Sequence, residues 1–218
     1  MNRISLLTLR LCTLIFAGSI SIAQAQTTHY NLAKMLRQDQ IITVPSHQTQ
    51  VLNGTKKDAI TTKGIIWLKG VSFKEGTIDI DLRGKNVFLQ SFLGIAFHGI
   101  DTTTCDILYF RPFNFRHADT LRRKWSVAYM SLPDNDYAKL RKEHPLVYEN
   151  AVTPVPEPDD WFHATVVIKD KRLSVYVNHS DKPSLEITLL NDRTDGLFGL
   201  YSDGLTNDFA NLVIKSLK

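Results

Sequence analysis

The segment Gly76-Thr77-Ile78-Asp79-Ile80-Asp81-Leu82-Arg83-Gly84 constrains this chain more than any other feature. Apolar and polar residues alternate strictly along it, and glycine closes both ends. A period of two gives a β-strand one buried and one wet face, whereas a helix would scatter the same residues around its axis. Strand-forming runs recur at Gly64 to Gly70, Phe92 to Phe97, Ile107 to Phe110, Trp125 to Met130, Trp161 to Ile168, Leu173 to Val177, Leu185 to Leu189, Leu197 to Tyr201 and Phe209 to Ile214. Turn residues part them. Short strands at this spacing predict an all-β protein, a two-sheet antiparallel β-sandwich of the jelly-roll type, with little helix beyond the N-terminal leader. The only helical signals after the leader are Leu32 to Leu36 and one turn at Tyr137 to Lys142.

Residues 1 to 25 read as a signal peptide. Arg3 and Arg10 precede the apolar stretch from Leu11, and Ala23-Gln24-Ala25 supplies the small-x-small pattern that signal peptidase requires. Export to the periplasm or beyond is expected. The apolar run is too short and too interrupted for a permanent span, and no later segment approaches the roughly 20 apolar residues a membrane helix needs. Cys12 sits inside the leader, so Cys105 is the only cysteine after cleavage and no internal disulfide is expected. The expected organisation is an N-terminal extension, 26–63, packing on a sandwich domain, 64–218. The formal charge of +4 falls to about +2 without Arg3 and Arg10. With the densest basic cluster only Arg122-Arg123-Lys124, nucleic acid is not expected as a partner.

Three groups of segments together carry a resemblance. They are Asp195-Gly196-Leu197-Phe198-Gly199-Leu200-Tyr201 with Asp208 to Ile214; Trp161 to Ile168 with Leu173 to Asn178; and Phe92 to His98 with Tyr109-Phe110-Arg111-Pro112-Phe113-Asn114. Over residues 64 to 216 the chain resembles concanavalin A-like lectin and glucanase domains, including laminin G-like modules and secreted bacterial domains linked to 3-keto-disaccharide hydrolysis. The resemblance implies a concave sheet whose outward side chains line a glycan groove. Because that superfamily holds lectins, hydrolases and adhesion modules, it implies a fold more narrowly than an activity.

On the expected strand faces, His98, Tyr109, Arg111, Tyr129, Trp161 and His163 gather over such a groove, with Gly94 and Ala96 leaving space beside His98. Aromatic faces pack on sugar C–H groups, and planar cationic donors hold paired hydroxyls. Arg111, fixed by Pro112 and followed by Asn114, is the leading ligand contact. The alternative is a bracing arginine paired with Glu149 or Glu143, and aromatic residues held in the core.

Hydrolysis ordinarily needs two carboxylates facing each other across the bond. Asp79-x-Asp81 shares a face, yet Arg83 stands where the resembling glucanases present a third acid, and a solvated outer face accounts for the pattern. His98, Glu149 and His163 are the remaining catalytic candidates. His98 and His163 with Asp101, Asp106 or Glu149 offer donors for a divalent metal, as do Asp101 and Asp106 for calcium, although no short ligand motif is present. No other cofactor is expected. Three readings follow: a carbohydrate-binding jelly roll, a glycoside or 3-keto-disaccharide hydrolase using His98, Arg111, Glu149 and His163, and a laminin G-like adhesion module.

Overall fold

The computed structural model describes residues 26–43, 48–54 and 56–216. The expected signal peptide, residues 1 to 25, lies outside the described residues. In chain order the elements are β1 (Gln26–Tyr30), α1 (Leu32–Arg37), β2 (Ile41–Ile42), β3 (Thr49–Val51), β4 (Ile60–Ser72), β5 (Gly76–Arg83), β6 (Ser91–Gly99) and β7 (Asp106–Phe110). They continue with α2 (Pro112–Phe115), α3 (Thr120–Arg123), β8 (Val127–Ser131), α4 (Tyr137–Glu143), β9 (Glu149–Asn150), β10 (Phe162–Lys169), β11 (Arg172–Val177), β12 (Leu185–Thr188) and β13 (Leu197–Ser216).

All pairings are antiparallel. Two long strands, β4 and β13, serve both layers of the sandwich. The first half of β13 lies between β4 and β6, in a front layer ordered β2-β4-β13-β6-β7-β8-β9. After a register shift between Ser202 and Asn207, its second half pairs with β5 on one side and with β1 and the start of β4 on the other. That half belongs to the back layer, which continues through β10, β11 and β12. β3 pairs with β4 at Ile60–Thr62, so residues before 64 supply hydrogen-bonded strands as well as the packed helix α1.

The alternation read from the sequence becomes the core. Ile78, Ile80 and Leu82 of β5, Ala164, Val166 and Ile168 of β10, and Leu173, Val175 and Val177 of β11 face Leu93, Ile95 and Phe97 of β6 and Leu108 and Phe110 of β7. Phe110 and Phe162 meet edge to face at 5.0 Å across the layers. Burying each such side chain contributes about 2 kcal/mol. Cys105 is fully buried, and burial together with nearby Asp106 pushes its thiol up to about 12. It is an inert apolar filler.

A second, smaller cluster lies on the outside of the front layer, where Trp67, Ala96, Ile107, Tyr109, Ala128 and Met130 sit beneath Leu140 of α4. The proline-rich crossing segment thus folds over the front sheet and roofs part of it. Asp136 starts α4 by accepting from the Lys139 N–H at 2.8 Å. No helix among the described residues is long and apolar enough to cross a membrane.

Candidate functional site

The front layer's outer face carries a cleft of about 330 Å³ lined by Leu89, Phe92, Tyr109, Arg111, Met130, Tyr137, Arg141, Tyr201 and Asp203. Three strands and one loop supply the floor. Phe92 and Tyr109 point outward from β6 and β7, Tyr201 from β13, and their rings meet at 6.2 Å (Phe92 to Tyr109) and 5.5 Å (Tyr109 to Tyr201). Burial pushes the Tyr109 and Tyr201 phenols up, so both are neutral hydroxyls at ordinary pH.

Arg111 leaves the end of β7 as Pro112 opens α2, because proline suits the first position of a helix and fixes where the preceding residue points. Its backbone N–H donates to Ser126 O at 2.7 Å and its Nη1 to Trp125 O at 2.7 Å. Nη1 also reaches Glu149 Oε2 at 3.5 Å, and Nη2 donates to Tyr109 Oη. Arg141 comes down from α4 and donates to both oxygens of Glu149, at 2.8 and 2.6 Å, with its guanidinium 4.0 Å from the Trp125 ring centroid. Burial lowers the Arg141 pKa, but the Glu149 hydrogen bonds and charge outweigh it, leaving the guanidinium more firmly protonated than usual. Glu149 is thus a carboxylate clamped between two arginines. Arg111 and Glu149 are almost wholly buried, at 5 and 8 % side-chain exposure, while Arg141 keeps 31 % toward the cleft.

The site residues read from the sequence separate. Tyr109, Arg111 and Glu149 come together around the cleft. Arg111 lines the cleft and also pairs with Glu149. Asn114 is a correction: it is 2 % exposed, turned inward, and donates to the same Trp125 carbonyl as Arg111, so it braces the arginine. Tyr129 is a second correction. β7 and β8 pair with Leu108 opposite Tyr129, which puts that ring on the core face, where its hydroxyl donates to Asp106 Oδ1 at 2.6 Å.

His98 also leaves the expected surface. Its φ of 47° ends the alternation of β6, and the ring turns to Lys74 O, at 2.8 Å from Nε2, and to Asp106 Oδ2, at 3.4 Å from Nδ1. Nor does Gly94 open space beside it, since a Cβ there would stand 2.0 Å from Leu108 O. His163 and Trp161 belong to the back layer. His163 contacts Asp81 at 2.8 Å and Asp79 at 3.4 Å on the outer face of β5, and stacks on His179 at 4.3 Å. Trp161 lies under Arg83 and Lys56, 4.9 and 5.2 Å from its ring centroid, beside a separate hollow of about 250 Å³. His98, Glu149 and His163 therefore do not converge.

The sequence reading missed Arg141, Tyr137 and Tyr201. Arg141 and Tyr137 had a signal in the one helical turn expected inside the proline-rich segment, because a helix there must lie on something. The expected metal ligands also disperse. Asp101 Oδ1 accepts from the Thr103 and Thr104 backbone N–H groups, Asp106 is enclosed with His98, and Glu149 serves the arginines. Among the described residues no three His, Cys, Asp or Glu side chains form a group able to hold a metal.

Comparison with known proteins reveals shared architecture. No family model matches this chain, and no curated protein matches it. A candidate glycosyl hydrolase from Parabacteroides distasonis superposes with a TM-score of 0.58 at 14% identity, covering 88% of this chain and 100% of the other. Carbohydrate-binding module CBM66 from Bacillus subtilis gives 0.51 at 16% identity, with 76% of this chain and 94% of that module covered. A Bacillus subtilis protein of unknown function with a galectin-like fold gives 0.50 at 11% identity, over 89% and 97%. The fold is the galectin and concanavalin A-like β-sandwich. At these identities the likeness extends to the fold alone, and the cleft has to be interpreted from its own residues.

Proposed function

We propose that this is an exported carbohydrate-binding domain whose ligand lies in the front-sheet cleft. The observation that carries the proposal is the Arg111–Glu149–Arg141 bridge set into a floor of Tyr109, Tyr201 and Phe92. Sugars present ring C–H faces and rows of hydroxyls, and this cleft pairs aromatic area with fixed, charge-assisted donors. Arg141 supplies the exposed donor edge, and Tyr137, 54 % exposed, a wall able to close over a ring. Of the structural neighbours, one is itself a carbohydrate-binding module, in keeping with this reading.

Binding fits the cleft better than hydrolysis. Both Glu149 oxygens are taken up by guanidinium donors behind the lining, and the acid that lines the cleft, Asp203, accepts from the adjacent Gly204 N–H at 2.7 Å, so no pair of carboxyls faces across the cleft. The hydrolase reading needed His98 and His163 beside Glu149.

The test is a thermal-shift screen of the purified protein against mono- and oligosaccharides, with product analysis of each hit. Stabilisation by a sugar without product, weakened in Tyr137→Ala and in Arg111→Lys, is the expected result. Turnover would replace the binding reading by an enzymatic one. Binding indifferent to both substitutions would remove the cleft from the account.

A further inference from the structure

The loop from β5 to β6 puts three consecutive apolar residues at the surface: Val87, Phe88 and Leu89 are 39, 45 and 59 % exposed. They form a turn in which the Gln90 N–H donates to Val87 O at 3.1 Å. Leu89 takes its third position with φ 57°, a left-handed conformation that turns ordinarily give to glycine or asparagine. A glycine there would relieve both the backbone strain and the exposed apolar area, so the leucine is costly to the fold twice over. Such costs gather at ligand sites. The turn is anchored: Phe88 packs edge-on to Phe113 at 5.7 Å and carries the Arg122 guanidinium 4.7 Å from its ring centroid, while Gln90 O accepts from Leu205 N–H at 2.6 Å. Leu89 therefore stands at a fixed place, and that place is the wall of the cleft that also holds Arg111 and Arg141.

The lining therefore joins two kinds of surface. One part of its lining is the guanidinium bridge with Tyr109, and another is Leu89, Phe92 and Met130. We infer that the ligand of this cleft is a glycoside bearing an apolar substituent, aryl or alkyl, with the sugar on the arginine side and the substituent against Leu89 and its turn. The inference rests on the carbohydrate reading and adds the substituent to it. Continuity of the apolar ridge with the cleft favours a part of the same ligand over a separate partner, because one molecule covering both buries the exposed leucine when it binds.

The test compares matched methyl and p-nitrophenyl glycosides of glucose, galactose and mannose by titration calorimetry, on the intact protein and on Leu89→Gly. Glycine suits the φ of this turn, so the variant folds at least as well and any loss of binding is local. The expected result is a p-nitrophenyl glycoside bound about tenfold tighter than its methyl partner, with the preference lost in Leu89→Gly. Equal affinity for the two would overturn the inference and leave the sugar reading standing. A preference unchanged by Leu89→Gly would place the substituent elsewhere and overturn it as well. If no glycoside binds, both readings fall. Self-association in sedimentation that Leu89→Gly abolishes would give the ridge to a second copy of the chain.

Discussion

The outer faces of the two layers use the same materials and end in different states. On the back face, Asp79 and Asp81 of β5 are met by His163 and Thr165 from β10, Lys215 and Asn211 from β13, and Lys56. Each acid is matched within the sheet itself. On the front face Glu149 binds two arginines from separate elements, Arg111 after β7 and Arg141 on α4, and the lining leaves a cleft beside them. A charged strand face is therefore no sign of a site when adjacent strands satisfy it. On the front face the charge is held by crossing segments with space next to it, and the proposed binding site rests on that difference.

The sharpest way to break this comparison is to remove each face's central acid. Glu149→Ala leaves two guanidiniums facing each other, one buried, and is expected to cost about 3 kcal/mol in denaturant unfolding. Asp81→Asn, on the wetter face, should cost about 1 kcal/mol. Equal costs would erase the distinction. The next effect is on binding: Tyr137→Ala should weaken the sugar hit about tenfold, whereas His163→Gln on the back face should leave affinity unchanged.

A smaller effect is pH dependence, and it belongs to the back face. The Asp81 hydrogen bond raises the His163 pKa above its ordinary 6.5, so the stability it lends is whole below that pH and fades as pH rises through the folded value. Burial pushes Asp79 and Asp81 up, but hydrogen bonds from Thr165, Lys215, His163, Lys56 and Asn211 hold both below their ordinary 3.8. Their contribution is whole above that pH and is lost on acidification through the folded values. Between pH 6.5 and 8 the melting temperature should fall by an amount that His163→Gln removes. Least of all, Lys215→Ala is expected to cost a few tenths of a kcal/mol, since its pair with Asp79 is half open to water.

The sequence was most legible where one face of a strand is polar. β5 and β10 alternate so cleanly that period alone assigns their inward residues, as Ile78, Ile80 and Leu82 show. β8 gave no such clue, because Val127-Ala128-Tyr129-Met130 is apolar on both sides, and the front face is itself roofed by Leu140. Tyr129 was thus assigned to the wrong side. A parity argument also fails after a backbone reversal, and the positive φ of His98 is invisible in its residue type. The meeting of Arg141 with Glu149 depends on how a 28-residue crossing segment, residues 133 to 160, settles on the sheet, which local pattern does not encode.

Strand β13 closes both layers, so neither is complete until its residues arrive. Before then β4, β5 and β6 each present a bare edge, of the kind through which chains stick to one another. Its partners lie about a hundred residues or more earlier, at Gly76–Arg83 and Ser91–Gly99, a separation that slows the search for native pairing. A chain released before Leu197 should therefore remain an open, aggregation-prone intermediate, and the time the molecule is most at risk is set by its last strand.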